Sequence, residues 1–432
     1  MLAFWFAIPF WQRVLGALLL GVTTGVLLGE TATVFKPLGT LFINAIRMLV
    51  VPLVFFALIS SITTLADSGK MQRLAFKTVG LFLLTAFIAS LIGLTVGSLV
   101  NWGDTVQLTA AEIKPRDIPP VADVLTNLIP TNPLAAMVNG NILQIIVFAA
   151  LVGIAINKIG EKAAPMKKVL LSGADIMYQI TRMVLELTPL GVFGLMAWVV
   201  GNYGLDTLLP LGKFILAIYL ACIIHIVFTY GGLVKLFGGM RVRDYFKAIL
   251  PAQLVAYSSA SSYGSLPVSH KVVTENLGVS KDYASFVLPL GATINMDGCG
   301  GIYPAIAAIF IANLYGIQLQ LTDYLLIAGT ATVASLGTAG VPGTALVMLT
   351  VTLSVVGLPL EGIAFIAAID RVVDMIRTTT NVTGDATVAL VVATQEHLLV
   401  SAPQSIDASD ILALQAQSAD SCDISNGRSQ PA

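Results

Sequence analysis

A row of ionisable and amide side chains lies within an apolar stretch near the C-terminal end of the chain. Steps of four, three, four and four residues separate Asp370, Asp374, Arg377, Asn381 and Asp385. A single helix would present all of them on one face. At membrane depth each charged group costs about 3 kcal/mol or more, so the row needs ionic partners, a wet cavity or a bound solute. The alternative is an ion-pair ladder in the core of a soluble helix.

The composition decides between these interpretations. Of 432 residues, 56% are hydrophobic and only 11% are charged, with a mean hydropathy of +0.87. Soluble domains carry about 25% charged residues, so most of this chain must face lipid or other buried helices. A net charge of -1 provides no basic patch for nucleic acid. Neither the cysteines nor the histidines form a cluster, so no disulfide framework or zinc site is expected. The sequence predicts an integral membrane protein.

Apolar runs of roughly membrane-spanning length alternate with polar breaks in the first half of the chain. Basic residues concentrate in the breaks after the second, fourth and sixth runs, which predicts that these breaks and the N-terminus are cytoplasmic. The break at 102–128 is then external. No cleavable signal peptide is expected, and the polar end from about 396 is predicted to be a disordered cytoplasmic tail. The runs lie at 14–29, 38–66, 77–101, 129–157, 168–201 and 207–234.

Two clusters of small polar residues interrupt the apolar pattern further along, at 258–267 and 335–344. Each contains a proline, and its apolar flanks are too short to cross a membrane twice. We therefore predict two re-entrant hairpins, because irregular backbone at membrane depth is tolerated only where it lines a cavity or is covered by protein. Paired interruptions of this kind indicate the binding site of a transporter. Ordinary loops between short helices are the alternative.

A third break, Gly291–Gly298, lies between the hairpins. Asn295 and Asp297 cannot share a face of a regular helix, because residues two apart point in different directions. The flanking glycines indicate that the helix unwinds here and frees its carbonyls. Carbonyl and carboxylate oxygens are the ligands of hard cations, so this segment predicts a Na⁺ site. A helix kink without an ion is the alternative.

Several motifs together resemble the dicarboxylate/amino acid:cation symporters, the glutamate transporter family. The resemblance covers about residues 10–395 and implies an all-α membrane protein with eight transmembrane helices and two re-entrant helical hairpins. It further implies a homotrimer in the inner membrane, in which 1–240 contains the scaffold, 241–395 forms the core of a transport domain that moves like an elevator, and 396–432 is the tail. The motifs are Met48–Phe56, Ile129–Pro133, Leu288–Gly298, Gly337–Gly343 and Asp374–Asp385.

By this resemblance, Asp374 would bind the substrate ammonium and Arg377 a side-chain carboxylate, with Asp370 orienting its neighbours. Asn381 and Thr378 would bind the main-chain carboxylate, and the second hairpin would act as a lid. The substrate-binding residues implied are Ser261, Ser262, Cys299, Val341, Gly343, Asp374, Arg377, Thr378 and Asn381.

The resemblance also implies bound Na⁺ as the coupling ion, with H⁺ possible and no other cofactor. The first cation site would comprise Asp385 with carbonyls of Gly291, Asn295 and Asn381. The second would use carbonyls of Thr293, Ser335, Leu336 and Thr338. The third would use Asp297, Asn295 and Thr85.

Three features depart from the common family pattern. Ala260 and Met375 occupy positions where many members carry an arginine, and Arg371 could supply that charge from another face. Cys299 replaces a threonine, as in the cystine-transporting branch, and removes a hydroxyl that would bind an acidic side chain. Ala86 replaces a serine beside the third cation site, whereas the carboxylate of the first site is retained.

The sequence therefore predicts a secondary active importer of glutamate or aspartate driven by Na⁺, and not an enzyme. Cystine or another longer amino acid is the alternative substrate, and proton coupling or C4-dicarboxylate transport remains open. A channel ranks lower, because a pore needs continuous lining rather than a pinched pocket with lids. For an enzyme, no nucleophile–base pair is apparent.

Overall fold

The structure is a computed structural model that describes residues 10–64, 69–102, 129–204, 209–338, 340 and 343–400. Within these ranges the chain is almost entirely helical, and β pairing is limited to an isolated bridge between Val279 and Leu399. The predicted external break at 102–128 falls almost wholly outside the described residues, as does the tail from 401.

The α-helices are numbered in chain order, and short 3₁₀ or π turns join several of them. The first half contains α1 (Phe10–Leu28), α2 (Lys36–Thr64), α3 (Gly69–Leu99), α4 (Pro133–Val138), α5 (Ile142–Ile159), α6 (Ala164–Leu185), α7 (Thr188–Tyr203) and α8 (Leu209–Ile224). The second half contains α9 (Gly231–Phe237), α10 (Val242–Ser259), α11 (Ser262–Lys271), α12 (Lys281–Ile294), α13 (Tyr303–Leu314), α14 (Leu321–Ser335), α15 (Thr344–Val355) and α16 (Ile363–Gln395).

Long apolar segments cross the molecule, and many of their large side chains face outward. Leu27 is 77% exposed and Leu99 is 80% exposed, which would be costly in water but suits contact with lipid tails. The prediction of a membrane protein with several spans is confirmed, whereas the count of eight transmembrane helices stays a prediction. Within the described ranges, five segments are long and apolar enough, by length and composition, to span a bilayer: Gln12–Phe42, Arg73–Leu99, Gln144–Leu185, Pro210–Phe237 and Lys281–Leu314.

Helices α1, α2, α5, α6 and α7 pack mainly on one another. Small residues allow the closest of these crossings, because they let two backbones approach. A Cβ added at Gly25 of α1 would lie 2.8 Å from the carbonyl oxygen of Ala197 in α7. Helices α3, α8 and α10 to α16 form a second group around the broken helix.

Helical hairpins occur at both predicted positions. In the first, α10 and α11 pack together, and the chain reverses at Ala260, whose φ is 48°. Ser261 then caps α11 by accepting a hydrogen bond from the Gly264 amide at 3.0 Å. In the second hairpin, α14 packs on α15. The two tips touch, since the Ser261 hydroxyl donates to the Gly340 carbonyl at 3.2 Å.

The predicted break in the apolar helix at Gly291–Gly298 is confirmed. Helix α12 ends at Ile294, and Asn295 and Met296 leave helical geometry with φ/ψ of −106°/76° and −112°/57°. A π turn from Asp297 to Ile302 then leads into α13. Every residue of this segment except the half-buried Thr293 is buried, so the freed backbone groups lie inside protein, as membrane depth requires.

Candidate binding site

Helix α16 carries the ionisable row and forms one wall of the site. It is continuous over the row, and all its members are buried, from 0% to 7% exposed: Asp370, Asp374, Arg377, Asn381 and Asp385. The first three members of the row pair with one another. The last two, Asn381 and Asp385, bond to residues of the broken helix. The prediction that one helix face collects these groups is confirmed.

Arg377 is fully buried between two carboxylates and an aromatic ring. Its Nη2 lies 2.7 Å from Asp370 Oδ1 and 3.0 Å from Asp374 Oδ1. Its Cζ lies 3.9 Å from the centre of the Tyr303 ring, a distance typical of a cation–π contact. In the described part of the chain, Nε and Nη1 have no hydrogen-bond acceptor. The guanidinium therefore keeps unused donors although its charge is compensated.

Asp374, the predicted ligand of the substrate ammonium, is paired within the row. It is already engaged by Arg377, and the Cys299 thiol lies 3.7 Å from its Oδ1. A buried carboxylate without a partner would be strongly disfavoured, so the neighbouring guanidinium stabilises Asp374 in its buried position. Any solute ammonium would have to compete with Arg377 for this carboxylate.

A small cavity lies between the hairpin tips, the broken helix and α16. About 210 Å³ of space without protein atoms lies here, but part of it is open to the surroundings rather than enclosed. Five members of the predicted substrate set line it: Ser262, Cys299, Asp374, Thr378 and Asn381. Arg377 lies outside its lining, as do Ser261 and Gly343. Val341 lies outside the described residues.

Asn381 joins α16 to the broken helix. Its Oδ1 accepts the Gly298 amide at 2.8 Å, and its Nδ2 lies 3.3 Å from Cys299 Sγ and 3.1 Å from Met296 Sδ. Sulfur is a weak acceptor, so this NH₂ group keeps most of its capacity to bind an oxygen. The side chain can therefore offer a donor to a carboxylate in the cavity.

Three members of the predicted first cation set, Gly291, Asn295 and Asp385, lie close together. Asn295 Nδ2 donates to Asp385 Oδ1 at 2.8 Å. A Cβ at Gly291 would collide with the same carboxylate, so the glycine allows its backbone to approach Asp385. Asn295 and Asp385 are buried, while the Gly291 carbonyl accepts the Asn295 backbone amide at 2.8 Å, so convergence of these oxygens on a cation stays a prediction.

The predicted third cation set includes orphaned acceptor oxygens. Asp297 Oδ1 and Asn295 Oδ1 are both buried and have no hydrogen-bond donor within the described ranges. Such groups cost free energy unless water or an ion satisfies them, so they fit a cation. Thr85, the remaining member of this predicted set, is buried. Its hydroxyl donates to the Phe82 carbonyl at 3.1 Å.

Two residues on this carboxylate were missed by the sequence analysis. Tyr230 Oη donates to Asp297 Oδ2 at 2.7 Å, and His225 Nε2 lies 3.1 Å from the same oxygen. Both come from a π turn after α8. The only sequence signal was a histidine and a tyrosine within an apolar run. Their convergence on Asp297 depends on tertiary packing.

The predicted second cation set lies on two elements. Ser335, Leu336 and Thr338 are at the end of α14, and the Thr338 hydroxyl donates to the Ala334 carbonyl at 2.8 Å. Thr293, at the end of α12, bonds through its hydroxyl to Tyr263 of the first hairpin at 3.1 Å. The convergence of their carbonyls on an ion stays a prediction.

Arg371 reaches the first hairpin although it lies on another face of α16. Its Nη2 donates to the carbonyl of Ser259 at 3.0 Å, at the C-terminal end of α10. A cation is favourable there because carbonyls are left unsatisfied. Its guanidinium thus contacts the residue before Ala260, one of the two positions at which the sequence analysis noted a missing arginine.

Comparison with known proteins agrees with this arrangement. The model of the Sodium:dicarboxylate symporter family matches residues 10–395. The chain is 34% identical over 402 residues to a proton/sodium-glutamate symport protein of Geobacillus stearothermophilus, covering 89% of this chain and 94% of that protein. It is 35% identical over 409 residues to the proton/glutamate-aspartate symporter of Escherichia coli K12, covering 90% and 92% respectively.

A third relative is named for a different cargo. The C4-dicarboxylate transport protein of Azorhizobium caulinodans is 32% identical over 394 residues, covering 89% of this chain and 88% of that protein. The family and these relatives are transport proteins rather than enzymes. The match extends over all the motifs on which the sequence resemblance rested. This chain therefore belongs to the Sodium:dicarboxylate symporter family.

Proposed function

We propose that this protein is a secondary active symporter that imports an acidic amino acid, glutamate or aspartate, together with Na⁺. The observation that carries the proposal is the buried row on α16, which faces a broken helix across a cavity bounded by two hairpin tips. The row supplies both signs of charge. A zwitterion with an extra carboxylate is the kind of solute that such a row can bind.

Substrate binding in this proposal is an exchange of ion pairs. The Arg377–Asp374 contact of 3.0 Å opens, the substrate ammonium takes Asp374, and the side-chain carboxylate takes the unused donors of Arg377. Asp370 keeps its contact with Arg377 and holds it in place. Because charge is exchanged for charge, the site avoids leaving any ion buried alone.

Asn381 and Thr378 receive the main-chain carboxylate in this scheme. Both line the cavity, and the weakly engaged NH₂ group of Asn381 can turn from its sulfur contacts to an oxygen. The Ser262 side chain completes this end from the first hairpin. A C4-dicarboxylate has no amine for Asp374, which favours an amino acid as the cargo.

Cation coupling follows from the charge of the closed site. Asp297 and Asp385 are buried beside the cavity, and an acidic amino acid brings a further net negative charge. Bound Na⁺ supplies countercharge, so cation and substrate should each raise the other's affinity. The orphaned oxygens of Asn295 and Asp297 support a cation position at this place.

The transport cycle we propose moves the site helices as one body against α1, α2 and their neighbours. Helices α3 and α8 would travel with the site, and the second hairpin would act as the outer gate. We further propose a homotrimer in the inner membrane with both termini in the cytoplasm. This orientation rests on the basic residues of the alternate breaks.

Uptake of labelled aspartate into proteoliposomes tests the proposal. An inward Na⁺ gradient should drive accumulation above equilibrium, and unlabelled glutamate should compete while serine and succinate compete weakly. Accumulation driven equally well by a proton gradient without Na⁺ would contradict sodium coupling.

A cystine carrier is the second candidate, and Cys299 is the observation that favours it. This thiol lines the cavity and lies 3.7 Å from Asp374, where a hydroxyl would help to bind an acidic side chain. Adding cystine to the same competition assay separates the two candidates. If cystine competes better than glutamate, the acidic substrate assignment is wrong.

A further inference from the structure

The Asp297 carboxylate has two unequal oxygens. Oδ2 accepts hydrogen bonds from Tyr230 at 2.7 Å and from His225 at 3.1 Å. We assign the hydrogen of the second contact to His225 Nε2, because a carboxylate oxygen that carries no hydrogen can only accept. Oδ1 has no donor among the residues that the structure describes. All three side chains are completely buried, so water cannot replace these contacts easily.

A π turn makes this double contact possible. In a regular α-helix of about 100° per residue, residues five apart point in directions about 140° apart. The turn His225–Tyr230 is π-helical, which widens the helix and returns the fifth residue towards the same side. The two rings stand edge to face with centroids 4.5 Å apart. Such single π turns occur mostly at functional sites.

The two donors also fix the direction of the opposite oxygen. Two aromatic side chains hold Oδ2 and so restrict rotation of the carboxylate. Oδ1 then stays buried on the other side. Among the described residues, Asn295 Oδ1 also lacks a donor. The Asn295 amide is fixed in turn, because its Nδ2 donates to Asp385. Two acceptor oxygens are thereby held without partners, as cation ligands are before the ion binds.

We propose that His225 and Tyr230 are positioning residues that orient Asp297 Oδ1 towards a coupling cation, so that the segment after α8 sets the cation affinity. This inference rests on the cation coupling of the proposed function. Neither residue touches the cation itself. The charged and titratable groups around them are Asp297 on the broken helix, Asp385 on α16 and Tyr245 on α10, which bonds to Thr387.

The test measures the Na⁺ concentration that gives half-maximal aspartate uptake in proteoliposomes. Tyr230→Phe removes one donor without changing the ring, and His225→Leu removes the other. Each should raise the half-saturating Na⁺ concentration by about 10- to 100-fold, as loss of an orienting contact does at metal sites. The KM for aspartate at saturating Na⁺ should stay within about three-fold of its original value, because the contact acts through the cation.

Two variants serve as controls. His225→Gln keeps an N–H donor at a similar reach and should restore most of the Na⁺ affinity. Tyr219→Phe removes a hydroxyl from α8 that bonds to Tyr257 and the Val372 carbonyl, away from Asp297, and should leave the Na⁺ dependence unchanged. Elution volume and thermal unfolding of the purified variants report whether they fold.

The inference is overturned if folded Tyr230→Phe and His225→Leu both keep the original Na⁺ dependence. It is also overturned if they raise the aspartate KM as much as the Na⁺ requirement, since that pattern indicates a general structural role. Uptake by the unaltered protein that needs no Na⁺ would overturn sodium coupling itself, and this outcome is visible before any variant is compared.

Discussion

Arg377 is the residue on which charge balance in the cavity depends. Its guanidinium is fully buried and compensated by Asp370 and Asp374. Removing one member of such a buried group costs about 3–5 kcal/mol, because the remaining charge is left without a partner. The row on α16 therefore functions as a unit. A substrate must replace the contact that it breaks.

Arg377→Lys tests the need for a planar fork. Lysine keeps the charge but offers a point charge instead of parallel donors, so it cannot hold Asp370 while also binding a substrate carboxylate. Loss of one charge-assisted hydrogen bond, worth about 1.5–3 kcal/mol, should raise the aspartate KM by about 10- to 150-fold. Kinetics of labelled aspartate uptake would measure this change.

Arg371→Lys is the matched control for this substitution. Arg371 lies on the same helix, but its Nη2 donates to the carbonyls of Ser258 and Ser259, which a lysine can also satisfy. The aspartate KM of Arg371→Lys should change by less than about three-fold, because contacts made by one nitrogen to carbonyls do not need the planar guanidinium fork. An unchanged KM for Arg377→Lys would show that the side-chain carboxylate binds elsewhere.

The members of the row could be predicted from spacing, but their pairing could not. Helical periodicity fixes which side chains share a face, since it depends only on the backbone. Which carboxylate meets Arg377 depends on side-chain rotamers and on the Tyr303 ring, which comes from a different helix. The sequence therefore predicted which side chains share the face, whereas only the structure shows which of them pair.

Close approach of the broken helix to α16 depends on glycine at specific positions. A Cβ at Gly298 would lie 2.5 Å from the Arg377 carbonyl oxygen, and one at Gly291 would collide with the Asp385 carboxylate. These glycines let the unwound backbone contact the row directly. The broken helix as a whole, rather than any single ligand, therefore sets the distance between the predicted cation set and the substrate cavity.

Gly291→Ala should weaken cation binding more than it weakens folding. The added methyl group would push the Asp385 side chain away from Asn295, and the half-saturating Na⁺ concentration for aspartate uptake should rise by at least about 10-fold, as for other disturbed metal ligands. The measurement is uptake at graded Na⁺ with saturating aspartate.

Gly329→Ala is the corresponding control. Gly329 lies within α14, is exposed, and a Cβ there would meet nothing within 4 Å. Alanine also favours the helix by about 1 kcal/mol relative to glycine, so this variant should transport normally. If Gly291→Ala also kept normal Na⁺ dependence, Asp385 and Gly291 would not form a cation site together.

The broken helix and both hairpins were predictable because each disrupts an apolar pattern with glycine, proline and small polar residues. The π turn at His225–Tyr230 leaves no such mark. It lies within a continuous apolar run, where hydrophobicity is high on every side and periodicity cannot show an inserted residue. Its two polar side chains acquire a role only when Asp297 is folded against them.

The end of α16 is tied to α3 by Glu396. This carboxylate accepts hydrogen bonds from Lys77 and, at 2.6 Å, from Arg73. The Lys77 contact is the main reason that the pKa of Glu396 lies below its ordinary value, with Arg73 adding to it. Because the pKa is lowered in the folded protein, the contact stabilises the fold at pH values above the ordinary pKa of a glutamate. This stabilisation is lost as the pH falls through the pKa of Glu396 in the folded protein.

Thermal unfolding of the purified protein against Glu396→Gln tests this contact. At pH 7 the original protein should unfold at a higher temperature than the variant, and the difference should shrink as the pH falls below about 4.3, the usual glutamate pKa. Glu161→Gln, at an exposed carboxylate in the turn Gly160–Ala163, is the control. A difference that persists unchanged at low pH would contradict the ionic origin of the stabilisation.

The molecule as a whole consists of two groups of helices that meet along a limited surface. Within the described residues, α2 of the first group contacts α15 and the tip of the second hairpin. A transport cycle in which one group slides against the other requires this surface to change, whereas contacts inside each group should persist. The surface between the groups is therefore where an elevator motion can be tested directly.

A disulfide across this surface should arrest transport. A Cβ built on Gly337 would lie 3.9 Å from Ala57 Cβ in α2, within the range of about 3.5–4.5 Å found in disulfides. The double variant Ala57→Cys and Gly337→Cys should therefore crosslink under mild oxidation and lose aspartate uptake. Reduction should restore uptake, because the bond holds the two groups in the arrangement seen here.

Crosslinking inside the site group separates this arrest from general damage. A Cβ on Gly97 of α3 would lie 3.5 Å from Ile309 Cβ in α13, and if α3 travels with the site, the pair Gly97→Cys and Ile309→Cys should crosslink without loss of uptake. The single variants account for the three native cysteines, Cys422 and the buried Cys222 and Cys299. Full uptake by the oxidised Ala57–Gly337 pair, with the bond verified by mass spectrometry, would mean that these two groups do not move against each other. Arrest by both pairs would instead show that α3 moves relative to the site helices, and the boundary of the mobile body would then have to lie between α3 and α13.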